Sequence, residues 1–102
     1  MENNGKIRVG IIGLGRLGYR HALSVMRCNS ARLLALADPN TQKLAAAVKE
    51  FEPSYSFIDY REMLDTEVDA VIVAAPTKYH YDILVDLVHR GKSISMSEKW
   101  VI

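Results

Sequence analysis

The stretch Ile7-Arg8-Val9-Gly10-Ile11-Ile12-Gly13-Leu14-Gly15-Arg16-Leu17-Gly18 decides the fold. An apolar run enters three glycines spaced G-x-G-x-x-G, and a helical pattern leaves them. A second apolar run, Leu33-Leu34-Ala35-Leu36-Ala37, stops at Asp38, 20 residues beyond Gly18. Strand, glycine turn, helix, strand and acid in that order form the context a dinucleotide-binding βαβ unit requires. Three glycines alone would serve equally well as a tight turn in any parallel α/β protein, and Asp38 alone could be a capping acid in the loop Asp38-Pro39-Asn40.

Each position has its own reason. Gly13 permits a strand-to-helix turn whose backbone angle would penalise a side chain. Gly15 lacks the Cβ that would keep a pyrophosphate from the backbone, and Gly18 lets the helix lie close to the sheet. The helix opening near Arg16 offers unpaired N–H groups and a positive dipole end to an anion. Asp38 can accept hydrogen bonds from both hydroxyls of an adenosine ribose. It would repel a 2′-phosphate, so NAD is expected in preference to NADP.

Outward from this unit, residues 7–12 are nearly all apolar, as in a central parallel strand buried on both faces. The first helix is expected over 16–28, with Leu17, Ala22, Val25 and Met26 toward the sheet, and the second strand over 32–37. Asn40 or Thr41 caps a helix over 41–51, whose Leu44, Val48 and Phe51 share a face. A short third strand is expected over 54–58. Asp59 and Glu62 then resemble a capping box for a short helix through Met63 and Leu64. The fourth strand reads 69–75 and ends at Pro76. Thr77 is a plausible cap for a helix over 78–90, with Ile83, Leu84, Leu87 and Val88 buried and Gly91 as the residue that stops it. The fifth strand is placed over 93–96. The alternation predicts an α/β fold, a Rossmann-type doubly wound parallel sheet of order 3-2-1-4-5, as a single domain over 1–102.

The bulk composition excludes several other classes. The 102 residues are 49% hydrophobic and 25% charged, with net charge +1, which fits a globular chain carrying no basic footprint for nucleic acid and no membrane-surface patch. Cys28 is the single cysteine, so no intramolecular disulfide forms and a reducing compartment is expected. The polar start and the lack of an 18-residue apolar run argue for the cytoplasm. No metal site is indicated.

Two further groups sit at expected strand ends: Ala74-Ala75-Pro76-Thr77 with His80, and Ser97-Glu98-Lys99. Together with the glycine turn and Leu36-Ala37-Asp38-Pro39-Asn40, they resemble the glucose–fructose oxidoreductase / inositol 2-dehydrogenase (Gfo/Idh/MocA) family over residues 6–102. The resemblance implies a nicotinamide-dependent oxidoreductase acting on a sugar, a cyclitol such as inositol, or a related polyol. It implies that Gly13, Gly15, Arg16, Leu17 and Gly18 hold the pyrophosphate and that Asp38 takes the ribose. By the same resemblance Ala75, Pro76, Thr77 and His80 pass the nicotinamide half. Glu98 and Lys99 form the acid–lysine pair at the cofactor, with Lys99 as the catalytic residue that orients the reacting hydroxyl.

The chain departs from the family pattern in two ways. Trp100 stands where the family has proline after the acid–lysine pair, which removes a restraint on Lys99. The family's second domain, which supplies the substrate floor and a further acid/base, is absent from the 102 residues. The expectation is therefore a truncated cofactor domain that binds NAD without turnover and self-associates through an open sheet edge. A non-enzymatic NAD-binding sensor or pseudoenzyme, and another Rossmann dehydrogenase branch, are the alternative readings.

Overall fold

The computed structural model describes residues 5–93 and 100–101. Among the described residues five strands, β1 (Ile7–Ile12), β2 (Ala31–Ala37), β3 (Tyr55–Phe57), β4 (Ala70–Val73) and β5 (Trp100–Val101), stand in the order β3-β2-β1-β4-β5. Every pairing is parallel. Helices α1 (Arg16–Arg27), α2 (Thr41–Phe51), α3 (Tyr60–Met63) and α4 (Thr77–Ser93) connect them. The chain winds from β1 out to β3, then returns to β4 and β5 on the other side. This is the doubly wound order expected from the sequence.

Helices on both faces bury the sheet completely at its centre. On one face, Ala22 and Val25 of α1 and Leu44, Ala47 and Phe51 of α2 pack with Val9, Ile11, Leu33 and Leu36. On the other, Met63, Leu64, Ile83 and Leu87 pack with Ile12, Leu34, Ala35, Ala37 and Val71. Strand β2 breaks simple alternation because its register against β1 moves from Val9–Leu33 to Gly10–Ala35, skipping Leu34. This extra residue shifts the phase of the strand, so Leu34 and Ala35 join the same core. Opposite the shift lies Gly10, where an added Cβ would fall 2.5 Å from the Met63 sulfur. Met63 fills the volume that a side chain at position 10 would need.

Several boundaries and faces differ from the expectation. Helix α4 continues through Gly91 to Ser93, because a glycine weakens a helix without ending it. Ser93, the expected start of the fifth strand, is therefore helical. The described β5 begins at Trp100 and pairs with Ala70 and Val71. Leu17 and Met26 of α1 are 57% and 53% exposed rather than turned to the sheet. The buried line of that helix is Gly18, Ala22 and Val25, small residues that let the helix axis approach the strands. Leu84 and Val88 of α4 are likewise exposed, while Ile83 and Leu87 carry the packing. Helix α2 runs as expected, with the Asn40 side chain accepting from the N–H groups of Gln42 and Lys43. Among the described residues, no helix is long and apolar enough to cross a membrane.

The amino edge of the sheet is fixed by a long-range pair. The Arg8 guanidinium donates to both Asp69 oxygens, from Nε at 2.8 Å and from Nη2 at 2.9 Å. The Arg8 N–H also donates to Asp69 Oδ2, and the Asp69 N–H returns a bond to the Arg8 carbonyl. The two residues tie the start of β1 to the start of β4. Asp69→Ala is expected to cost about 2 kcal/mol, read as a fall in Tm of roughly 10 °C by calorimetry.

Candidate functional site

The carboxyl ends of β1, β2 and β4 meet at the glycine turn. Backbone bonds extend the sheet into it: Gly13 N–H donates to Ala37 O, Ala74 N–H to Ile12 O, and Asp38 N–H to Phe57 O. Gly13 adopts φ +98°, and a Cβ there would stand 2.7 Å from the Ala75 nitrogen and 2.8 Å from the Ala74 carbonyl carbon. Both the backbone angle and the space therefore require glycine. At Gly18 a Cβ would fall on the Gly13 carbonyl oxygen, 1.8 Å away. These two glycines close the turn against the end of β4.

Gly15 is different. Its φ is −72°, which any residue adopts, and a Cβ built on it meets nothing within 4 Å. The residue is the N-cap of α1, has no side-chain cap bond, and is followed by a first helical turn that carries no acid. The turn therefore presents a bare helix start, positive in sign, toward open space. A pyrophosphate fits such a position, since oxygens can reach backbone N–H groups that no side chain shields.

Asp38 lies beside this turn, 9% exposed. Its Oδ2 accepts from the Leu14 N–H at 2.7 Å, and its Oδ1 accepts from the Asn40 N–H, also at 2.7 Å. The carboxylate thus anchors the glycine turn to the β2–α2 loop, and each oxygen keeps a lone pair for a further donor. The bond to Leu14 joins residues 24 apart in sequence, and spacing alone gave no sign of it. The bond to Asn40 closes a local turn, but Asn40 itself caps α2, so Asp38 is not the capping acid of that helix.

His80, in the first turns of α4, places Nε2 2.7 Å from the Ala75 carbonyl oxygen, so the ring N–H donates to the loop after β4. Ala75 is half-buried and Pro76 is exposed. Thr77 is the first residue of α4. Arg16 and Leu17 are exposed at the mouth of the turn. Gly13, Gly15, Gly18, Asp38, Ala75 and His80 are therefore gathered at one end of the sheet. Glu98 and Lys99 lie outside the described residues, and the described β5 starts directly after them rather than ending at them.

A cleft of about 480 Å³ opens from Gly15 along α1, lined by Leu14, Arg16, Tyr19, Arg20, Leu23 and Lys43. The spacing of the glycines gave no sign that α1 and α2 would frame it with three cations. Away from it, the Tyr60 hydroxyl of α3 donates to Asp86 of α4. Burial and that bond push the Tyr60 hydroxyl up to about 12. Among the described residues, no group of histidines, cysteines and acids could hold a metal ion.

Fold and site together define a dinucleotide-binding Rossmann domain. The model of the Gfo/Idh/MocA oxidoreductase family, described as an NAD-binding Rossmann fold, matches residues 7–99, and the chain belongs to that family. The scyllo-inositol 2-dehydrogenase (NAD(+)) of Bacillus subtilis (strain 168) is 33% identical over 91 residues, 87% of this chain and 27% of that protein. The inositol 2-dehydrogenase of Rhizobium meliloti (strain 1021) is 33% identical over 88 residues, 86% of this chain and 26% of that protein. The crystal structure of myo-inositol 2-dehydrogenase from Lactobacillus plantarum superposes with a TM-score of 0.76 at 34% identity, over 84% of this chain and 26% of that one. Scyllo-inositol dehydrogenase from Lactobacillus casei, solved with bound NAD(H) and scyllo-inositol, gives a TM-score of 0.78 at 31% identity over the same shares. The chain spans about a quarter of the length of these relatives.

The glycines make a paired prediction. Gly15→Val is expected to leave the far-UV circular dichroism and Tm nearly unchanged while abolishing dinucleotide binding. Gly18→Ala is expected to lower stability by about 3 kcal/mol, because the colliding atom is backbone and cannot rotate away. Equal thermal shifts in the two variants would contradict the assignment of separate roles.

Proposed function

We propose that this domain binds a nicotinamide adenine dinucleotide at the carboxyl ends of β1 and β4, with NAD preferred over NADP. In this reading it is the cofactor half of a dehydrogenase acting on a cyclitol or related polyol. The observation that carries it is the bare start of α1 at Gly15, open to an approaching pyrophosphate, next to the buried Asp38 carboxylate.

Each group has a role in this reading. Backbone N–H groups of the turn hold the pyrophosphate, with Arg16 supplying charge and Leu17 shaping the mouth. Asp38 accepts the ribose hydroxyls on its remaining lone pairs while its existing bonds keep it from turning away. The loop Ala75-Pro76-Thr77, steadied by His80, borders the nicotinamide half. When bound, the nicotinamide ring supplies the acceptor for a hydride from an alcohol carbon. Lys99 orients the hydroxyl on that carbon, and Glu98 accompanies it at the cofactor. The preference for a cyclitol or polyol rests on the relatives, whose names give inositols as their substrates.

The test is Asp38→Asn, which removes the charge and keeps one of the two backbone acceptors, the amide NH2 replacing the other. Calorimetric titration should show NADH weakened by about tenfold and its advantage over NADPH reduced. An unchanged NADH-to-NADPH affinity ratio in a folded variant would contradict Asp38 as the ribose reader.

A further inference from the structure

Helix α4 carries more apolar surface than the sheet covers. Ile83 and Leu87 are buried, whereas Tyr81, Leu84 and Val88 are 76%, 44% and 50% exposed. The exposed residues are spaced three and four apart, so they form one stripe along the helix. With Val85 and His89 they line a cleft of about 410 Å³. The opposite flank of α4 is polar and engaged, because Asp86 accepts the Tyr60 hydroxyl of α3 there. No acid or amine stands at positions 81, 84, 85 or 88, so two copies of the stripe meet without opposing like charges.

The stripe lies beside the edge of the sheet. Helix α3 packs over β2 and β3, so the flank of α4 away from α3 faces β5. Among the described residues β5 is the last strand of the order and pairs with β4 alone. An edge of this kind offers backbone groups to another strand. A twofold axis beside β5 and normal to the sheet pairs β5 with its copy in antiparallel fashion, and sets α4 beside its copy on the same face. A crossover helix rests above the strands it joins, so the two α4 axes then stand about two strand spacings apart, roughly 10 Å. Packed helices stand at about that separation. One axis therefore satisfies both the stripe and the strand edge. Alone, the stripe falls short of the roughly 800 Å² per partner of a standard interface, so the contact belongs to the weak, reversible class.

We propose that the α4 stripe, with the β5 edge beside it, is a twofold interface between two copies of this chain. The same patch serves both copies, so the contact closes at a dimer. It is independent of the dinucleotide reading. Met26 of α1, 53% exposed, belongs to the helix layer on the other face of the sheet and takes no part.

The experiment is sedimentation equilibrium of the full chain and of Leu84→Glu, Val88→Glu and Met26→Glu over a concentration series, with circular dichroism and Tm to check folding. Wild type should show a monomer–dimer equilibrium with Kd on the order of 10–100 μM. Leu84→Glu and Val88→Glu should each weaken the dimer by about tenfold or more while leaving Tm nearly unchanged, because both positions are exposed in the single copy. Met26→Glu should leave the dimer within about twofold. In a Cys28→Ser background, a short bismaleimide should link Leu84→Cys chains in pairs far faster than Met26→Cys chains, since position 84 is central to the stripe. A chain still monomeric at about 500 μM would overturn the interface and assign the stripe to a different partner or to further sequence of a longer protein. A dimer indifferent to both Leu84→Glu and Val88→Glu would also overturn it, leaving the strand edge alone as the contact. Equal cross-linking at positions 84 and 26 would do the same by showing non-specific association.

Discussion

The hydrogen bond from the Leu14 N–H to the Asp38 carboxylate joins the two halves of the binding unit. It holds the middle of the glycine turn against the end of β2, and the same carboxylate fixes Asn40 at the start of α2. Gly13 and Gly18 then bring α1 back over the ends of β1 and β4 at a separation that excludes a side chain at either glycine. Gly15 remains as the only one of the three turn glycines pointing into open space. A single buried acid thus sets both the shape of the turn and the charge beside it.

The opposite end of the sheet serves stability. Arg8 and Asp69 clamp β1 to β4 at their amino ends, far along the strands from the glycine turn. The register shift between Val9 and Gly10 turns consecutive residues of β2 toward the same core, and Met63 fills the space left over Gly10. Two cores of comparable size result, one under α1 and α2 and one under α3 and α4. A strand pair held at one end and packed on both faces gives the turn at the other end a rigid base.

Local signals in the sequence carried much of this. The glycine spacing, the apolar runs of β1 and β2, the stop at Asp38 and the Asn40 cap are written in neighbouring residues, and the structure follows them. What the sequence withheld depends on residues meeting from far apart. Asp38 on Leu14, Arg8 on Asp69 and Met63 over Gly10 are contacts across 24, 61 and 53 positions, and no period reveals them. Helix faces were half legible, because an apolar stripe on α1 or α4 is wider than the strip that touches the sheet. Leu17, Met26, Leu84 and Val88 fall on the exposed margin of those stripes. Gly91 was a weak stop signal, since only a companion such as proline would have forced the helix to end there.

Everything in this crevice turns on whether the glycine turn receives the dinucleotide. The most direct measurement is a 15N–1H correlation spectrum of the labelled chain titrated with NADH. Saturable shifts of the Leu14, Gly15, Arg16 and Leu17 amides are expected, with smaller shifts at Asp38 and Ala75 and little change at Arg8 and Asp69. A folded spectrum in which the turn amides stay fixed at saturating NADH would contradict it.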